Sequence, residues 1–307
     1  MEEIKLFCPA TIANVSCGFD VLGLCLTQPG DEMIIRKSST PGIQITKIGG
    51  HNLPLATEKN VAGVAGLALL NNLKELKAGF EIEIYKHIKP GSGIGSSAAS
   101  AAGAVFGINQ LLGEPFSTKD LIPFAMQGEL LASGALHADN VAPALLGGFT
   151  LVRSYEPLDV IKLPVPDQLM ATVIHPQLEV KTADARSVLK HSVSLKSAIT
   201  QWGNLGGLIS ALYTSDYNLL ARCLHDEIIE PLRSVLIPGF DEVKKTALAH
   251  GALGSGISGS GPSIFALSKD KETAQKIASA MAEVYQKFEV DYDIHVSKIN
   301  GDGIKIL

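Results

Sequence analysis

The first half of the chain moves between two hydrophobic periods. Residues 80–88 (FEIEIYKHI) alternate apolar and polar, which predicts a half-buried strand. Residues 4–8 (IKLFC), stopped at Pro9, and residues 31–36 (DEMIIR) predict two shorter strands. Asn60 opens a small, apolar run, VAGVAGLALLNNL, that predicts a helix. Residues 97–112 (SAASAAGAVFGINQLL) predict another, whose small side chains imply very close packing against its neighbours. Ser117-Thr118-Lys119-Asp120 resembles a capping box with Asp in place of Glu. It predicts a helix through Glu129 that Pro123 bends or restarts. Gly147-Gly148 breaks the chain before a strand, FTLVRS.

Residues 156–168 carry Pro157, Pro164 and Pro166 and read as a linker, so residues 1–158 and 159–307 are expected to form two domains. The second half predicts a strand at 169–175, helices at 195–213, 216–230 and 239–250, a strand at 263–268, a helix at 270–287 and a strand at 292–298. Strands and helices mix without strict alternation, which favours α+β over a doubly wound parallel sheet.

A length of 307 residues suits two domains or one large one. With 46% hydrophobic and 19% charged residues, the chain is too apolar to be disordered. A net charge of -5 argues against a nucleic-acid groove or an anionic-membrane surface, while leaving room for a local basic pocket. The acidic start Met1-Glu2-Glu3 is unlike a signal peptide, and no apolar run reaches the ~20 residues of a membrane span. The expected location is therefore the cytoplasm, with Cys8, Cys17, Cys25 and Cys223 as reduced thiols; none forms a CxxC pair that would support zinc.

The strongest chemical signal is Pro90-Gly91-Ser92-Gly93-Ile94-Gly95-Ser96-Ser97, between a predicted strand and a predicted helix. Glycines let the backbone approach a ligand closely, and a helix start turns unpaired N–H groups toward an anion. The serines add hydroxyls for phosphate or Mg2+. A Walker loop would need a lysine after Gly95, and a dinucleotide fingerprint would need a glycine in place of Ser96. A second glycine run, Gly254 to Pro262, contains GxGxxG but leads into a strand, so it lacks the dinucleotide context. It reads either as a flexible turn or as a backbone wall beside the first loop.

Together with PATIANVSCGFDVLG at residues 9–23, the two loops carry a resemblance. Residues 90–99 (PGSGIGSSAA) resemble the central motif of the GHMP kinases, and residues 254–262 resemble their third motif. Residues 9–23, Glu129 with His137-Ala138-Asp139-Asn140, and Arg233 with Leu236-Ile237-Pro238-Gly239-Phe240 are similar to the homoserine kinases within that superfamily. The resemblance implies a GHMP kinase fold. Its N-terminal domain would resemble the second domain of ribosomal protein S5, its C-terminal domain would be ferredoxin-like, and ATP would lie between them.

By the same resemblance, Lys89, Pro90, Gly91, Ser92, Gly93, Ile94, Gly95, Ser96, Ser97, Ala98 and Ala99 would cradle the nucleotide, with Asn60 near the adenine. Asn60 reads equally well as a helix N-cap. Glu129 and Ser97 would hold Mg2+, which one carboxylate plus substrate phosphates can bind. Arg186 and Arg233 would bind a substrate carboxylate, a role that suits a bidentate guanidinium. Asn14, Asp20, His137 and Thr182 would complete the substrate pocket, although Asn14 and Asp20 also suit a turn and a cap.

Asn140 stands eleven residues after Glu129, where mevalonate-kinase-like members carry an aspartate base. An amide cannot act as a base, so Asn140 would orient the acceptor hydroxyl, with the adjacent Asp139 facing elsewhere. The implied reaction is phosphoryl transfer to L-homoserine by alignment and charge neutralisation. A homodimer is expected from the family. Two alternatives stand beside this reading: a kinase for another small alcohol, and a catalytically silent nucleotide-binding relative.

Overall fold

The computed structural model describes residues 1–73, 78–178, 180, 182–190 and 192–307, and the side chains of Thr182 and Ala183 lie outside that description. The chain opens with β1 (Glu3–Ala13), β2 (Leu22–Ser38) and β3 (Gly42–Gly49), followed by α1 (Val61–Asn72) and β4 (Gly79–Tyr85). Next come α2 (Ser96–Leu111), α3 (Ile122–Ser133) and α4 (Val141–Leu146), then a hairpin of β5 (Phe149–Tyr155) and β6 (Leu158–Leu163). β2 is the spine of this sheet. β1 runs along one of its sides, while β4 and β5 share the other. β3 extends the sheet beyond β4 in parallel.

The chain continues through β7 (Met170–Pro176), α5 (Thr182–Ser187), α6 (Leu195–Thr214), α7 (Tyr217–Cys223), α8 (Glu230–Arg233) and α9 (Phe240–Ala249). β8 (Gly254–Ile257), β9 (Ile264–Ser268), α10 (Lys271–Lys287) and β10 (Tyr292–Lys298) follow. The four strands form an antiparallel sheet in the order β10-β7-β9-β8, in the β-α-β-β-α-β succession of a ferredoxin-like unit. β11 (Lys305–Ile306) then returns to pair with β1, completing a seven-stranded first sheet. The α+β class expected from the sequence is the class observed.

Several boundaries differ from expectation. Pro9 does not stop β1, because a register shift between Pro9 and Thr11 lets the strand bulge past it. Residues 158–163 are not a linker but β6, so the first sheet runs beyond the expected boundary at 158/159 and also takes in β11. The expected helix at 216–230 stops at Cys223, and Asp226 organises the following turn by accepting from the N–H groups of Ile228, Ile229 and Glu230. Half of the second glycine run is itself a strand, β8. Pro123 restarts the helix as expected: a short 3-10 turn precedes it, and it occupies the first turn of α3.

Period-two alternation explains how the second sheet unites the molecule. Ala171, Val173, Phe265 and Leu267 point to the core shared with the first sheet, while Ile174, Ile264 and Ala266 point to a second core under α9 and α10. Among the described residues, no helix is long and apolar enough to cross a membrane. All four cysteines are buried free thiols, and burial raises the pKa of each.

The close packing expected of α2 has a specific form. Its Ala- and Gly-rich inner face lies on β1 and β2, and a Cβ at Gly103 would stand 2.5 Å from Cys8 Sγ. At Gly107 it would stand 2.6 Å from Ile35 Cδ1. α2 also carries the phosphate-loop serines at its start, so its depth against the sheet sets their height in the site. Gly103→Ala is expected to destabilise the fold by about 1–3 kcal/mol through overpacking, read as a lower urea midpoint at unchanged slope.

Candidate active site

The glycine loop from Pro90 to Gly95 is held open by its surroundings. The carbonyl of Ser92 accepts from Ser263 Oγ (2.6 Å) and from the Ser263 N–H. The carbonyl of Gly93 accepts from Ser258 Oγ (2.8 Å), and that of Ile94 accepts from the Thr11 N–H (3.2 Å). Gly93 adopts φ +83°, and a Cβ there would meet Gly261 O at 2.6 Å, so glycine is required for the two loops to touch. The second glycine run therefore forms a wall against the first loop. Gly95, at φ +71°, occupies the N-cap position of α2 without a side-chain cap. The N–H of Ala99 already bonds the Gly95 carbonyl, leaving those of Ser96, Ser97 and Ala98 as the free donors of the first turn.

Beneath this turn lies a buried ion pair that the sequence reading did not single out. Lys86 Nζ pairs with Asp31 and donates to Ser96 O (2.8 Å) and Ser100 Oγ (3.0 Å). Asp31 also accepts from the N–H groups of His87 and Ile88. A signal was present in the pattern: Phe80, Ile82 and Ile84 mark the inward parity of β4, and Lys86 continues it.

A cleft of about 330 Å3 runs along the loop. Pro90, Gly91, Gly93, Gly95, Ser96, Ser97, Glu129, His137, Asn140, Arg186, Arg233 and Asn14 all line it. Asp20 reaches it through an ion pair to Arg186 (3.4 Å) and lies 3.7 Å from His137 Nδ1. Several expected residues also bond within the fold. Asn60 caps α1, as its sequence equally allows, its Oδ1 accepting from Ala62 N and its Nδ2 donating to Pro54 O. Lys89 turns away from the cleft and donates to Gln177 Oε1. Ser92, Ile94, Ala98 and Ala99 have buried side chains, so their contribution is backbone and packing. The side chain of Thr182 lies outside the described residues.

The Asn14–Asp20 end of the cleft is built on strained backbone. Asn14, Val15 and Ser16 adopt φ of 70°, 41° and 64°, and Asp20 adopts 59°. Left-handed non-glycine residues cost about 1–3 kcal/mol each and persist where the surroundings determine them. Here Val15 is fully buried, Asn14 Nδ2 donates to Gly259 O (2.8 Å), and Asn14 Oδ1 accepts from Asp20 N (3.0 Å). Arg233 is 4% exposed. It donates to Ala185 O and Gly259 O and stacks over the Phe19 ring at 4.9 Å. Tyr155 ties the Asp20 segment to the Ala138 segment, donating to Asp20 O and accepting from Ala138 N.

Burial lowers the pKa of His137, Asp20 opposes the shift, and Arg186 and Arg233 reinforce it. The neutral ring takes an N–H from Arg186 at Nε2, which leaves its own proton on Nδ1, toward Asp20.

Glu129 is buried, and its Oε1 has no hydrogen-bond partner. Burial pushes this carboxyl up to about 7, against the pull of Ser97 and Lys86. Asp139 is also raised to about 7 by burial and by the charges of Asp20 and Glu129. Asp139 lines the cleft beside Asn140. Among the described residues, no group of three or more His, Cys, Asp or Glu side chains forms a metal cluster. An orphaned buried carboxylate oxygen beside a serine hydroxyl nevertheless fits a divalent cation completed by phosphate oxygens.

A carboxyl whose folded pKa is raised from 4.5 to about 7 contributes stability that is complete below pH 4.5 and lost as pH rises through 7. Glu129→Gln is therefore expected to flatten the loss of stability of the metal-free protein between pH 4.5 and 7, measured by urea unfolding in chelator.

The chain is similar to known proteins over its whole length. Residues 60–148 match the family model for the GHMP kinases N terminal domain, and residues 208–287 match that for the GHMP kinases C terminal. A homoserine kinase of Chlorobium phaeobacteroides is 47% identical over the full length of both chains. A crystal structure of homoserine kinase from Cytophaga hutchinsonii superposes with a TM-score of 0.96 at 54% identity, covering 100% of this chain and 98% of that one. A mevalonate kinase structure shares the fold alone, with a TM-score of 0.71 at 14% identity over 98% of this chain and 100% of that one. Full-length identity of this order, together with both domain models and the cleft they enclose, makes the chain a member of the homoserine kinase family of the GHMP kinases.

Proposed function

We propose that this chain transfers the γ-phosphoryl group of ATP to the side-chain hydroxyl of L-homoserine, giving O-phospho-L-homoserine on the route to threonine. The observation that carries this reading is that one cleft joins an anion cradle to a pocket bearing both signs of charge, with Asn140 lining the same cleft. L-homoserine presents a carboxylate, an ammonium and a hydroxyl. Arg186 and Arg233 supply cations for the carboxylate. Asp20, held by the strained turn, supplies the charge for the ammonium, and neutral His137 orients Arg186.

The free N–H groups of Ser96, Ser97 and Ala98 and the open backbone of Gly91, Gly93 and Gly95 support the phosphates. Mg2+ would be held by Glu129 and Ser97, and when bound it neutralises phosphate charge. Asn140 is an amide and cannot take the hydroxyl proton, so its part is to orient that hydroxyl. Alignment and preorganised donors suit a loose transition state. A cytoplasmic location follows from the use of ATP and a free amino acid. Assembly as a homodimer is supported by an exposed apolar stripe of Leu195, Ile199, Trp202 and Tyr213 on α6, and sedimentation velocity tests it.

Purified protein with Mg2+ and ATP is expected to release ADP with L-homoserine, and not with L-serine, mevalonate, galactose or shikimate. Turnover with another alcohol only would overturn the acceptor assignment. Arg186→Ala and Arg233→Ala should each raise KM for L-homoserine by about 10–100-fold with KM for ATP little changed, as expected for a lost charged hydrogen bond. Glu129→Ala should abolish Mg2+-dependent turnover while metal-free ATP binding, followed by calorimetry, survives.

A further inference from the structure

The side chain of Thr11 takes no part in the roles described above, yet three parts of the site meet on this residue. The residue is fully buried in β1. Its N–H donates to Ile94 O in the phosphate loop (3.2 Å), and its hydroxyl donates to Asn140 Oδ1 (2.7 Å). Gly95 closes over the pair: a Cβ there would stand 2.0 Å from Thr11 Oγ1 and 3.1 Å from Asn140 Oδ1.

We propose that Thr11 is a positioning residue that decides which end of the Asn140 amide meets the acceptor hydroxyl. The proposal rests on the reading of Asn140 as the group that orients that hydroxyl. An asparagine side chain has an acceptor end and a donor end, and the two ends would hold an alcohol in opposite ways. Asn140 occupies the N-cap position of α4 but makes no side-chain cap bond, so its helix does not orient the amide. The Thr11 hydroxyl does.

The hydroxyl donates to Oδ1 at 2.7 Å, an ordinary O–H···O separation. Oδ1 is thus turned toward Thr11, and Nδ2 is left for the cleft. A substrate hydroxyl at Asn140 then receives an N–H on one of its lone pairs and keeps its own O–H free to turn elsewhere. With the amide reversed, that proton would be held on Oδ1. The backbone of Thr11 fixes the phosphate loop at the same time, so one residue sets the acceptor group against the cradle. Side-chain substitutions leave that backbone bond in place.

The test is a double-mutant cycle of Thr11→Val and Asn140→Ala, assayed with Mg2+, ATP and L-homoserine, with Thr11→Ser as the conservative variant. Thr11→Val should lower kcat by about tenfold, the effect of removing one partner of a buried hydrogen bond. KM for ATP should stay unchanged, and Thr11→Ser should restore kcat. In the Asn140→Ala background, Thr11→Val should add no further loss. Losses that multiply in the double mutant, or an undiminished kcat in Thr11→Val beside an impaired Asn140→Ala, would overturn the proposal. Full activity of Asn140→Ala would instead overturn the reading of Asn140 on which it rests. If the valine chain does not fold, Thr11→Ala enters the same cycle. Failure of both to fold would place Thr11 in the fold rather than in the site and would also refute the proposal.

Discussion

Three successive carbonyl groups, those of Ser92, Gly93 and Ile94, accept hydrogen bonds from donors outside their own loop. A peptide plane whose oxygen is held on one side has its N–H turned to the other. The clasp by Ser258, Ser263 and Thr11 therefore does more than fasten a glycine-rich segment. It directs the loop's backbone and seats the start of α2 at the edge of the cleft. The donors come from β1 and from the turn between β8 and β9, so the anion cradle exists only when both sheets are in place. Lys86 and Asp31 support the same helix turn from below. Their mutual pairing and the backbone donors on Asp31 make burial of both charges tolerable.

The end of the cleft at Asn14 and Arg233 depends on the same contact. Gly259 O receives both Asn14 Nδ2 and Arg233 Nη1, so the turn that clasps the phosphate loop also anchors the strained segment at residues 14–20. The strain there is local and the compensation is distant. Burial of Val15 and hydrogen bonds from another part of the chain hold a conformation that these side chains would not adopt alone. The result is a pocket in which Asp20, Arg186, Arg233 and His137 are gathered from four separate segments. Their charges offset one another enough to remain next to a cleft that also contains two carboxyls pushed toward neutrality, Glu129 and Asp139.

Much of this was legible beforehand. The α+β class followed from the mixed periodicities, and the helices at α1, α2, α9 and α10 followed from their apolar runs and caps. The glycine loop announced an anion site because its chemistry is local: left-handed backbone, a helix start and short hydroxyl side chains. What was missed had a common cause. Pro9 looked like a strand stop because a bulge is decided by the partner strand. Residues 158–163 looked like a linker because β6 exists only by pairing with β5. Gly254 to Ile257 carried no strand pattern of its own because β8 is a strand only through β9.

The sequence by itself determined the element types with local periodicity, the anion-binding character of the first glycine loop and, through its motifs, the kind of chemistry. Tertiary structure decided which of the motif residues face the cleft. Asn60 caps a helix, one of the two roles its sequence offers, and Lys89 bonds Gln177, while Lys86 and Thr11 came to the site unannounced. The physical reason is that the direction of a polar side chain is set by the partner that satisfies it, and most of these partners lie far away in sequence. Thr11 and Asn140 are 129 residues apart, and no local pattern in either segment records that they meet.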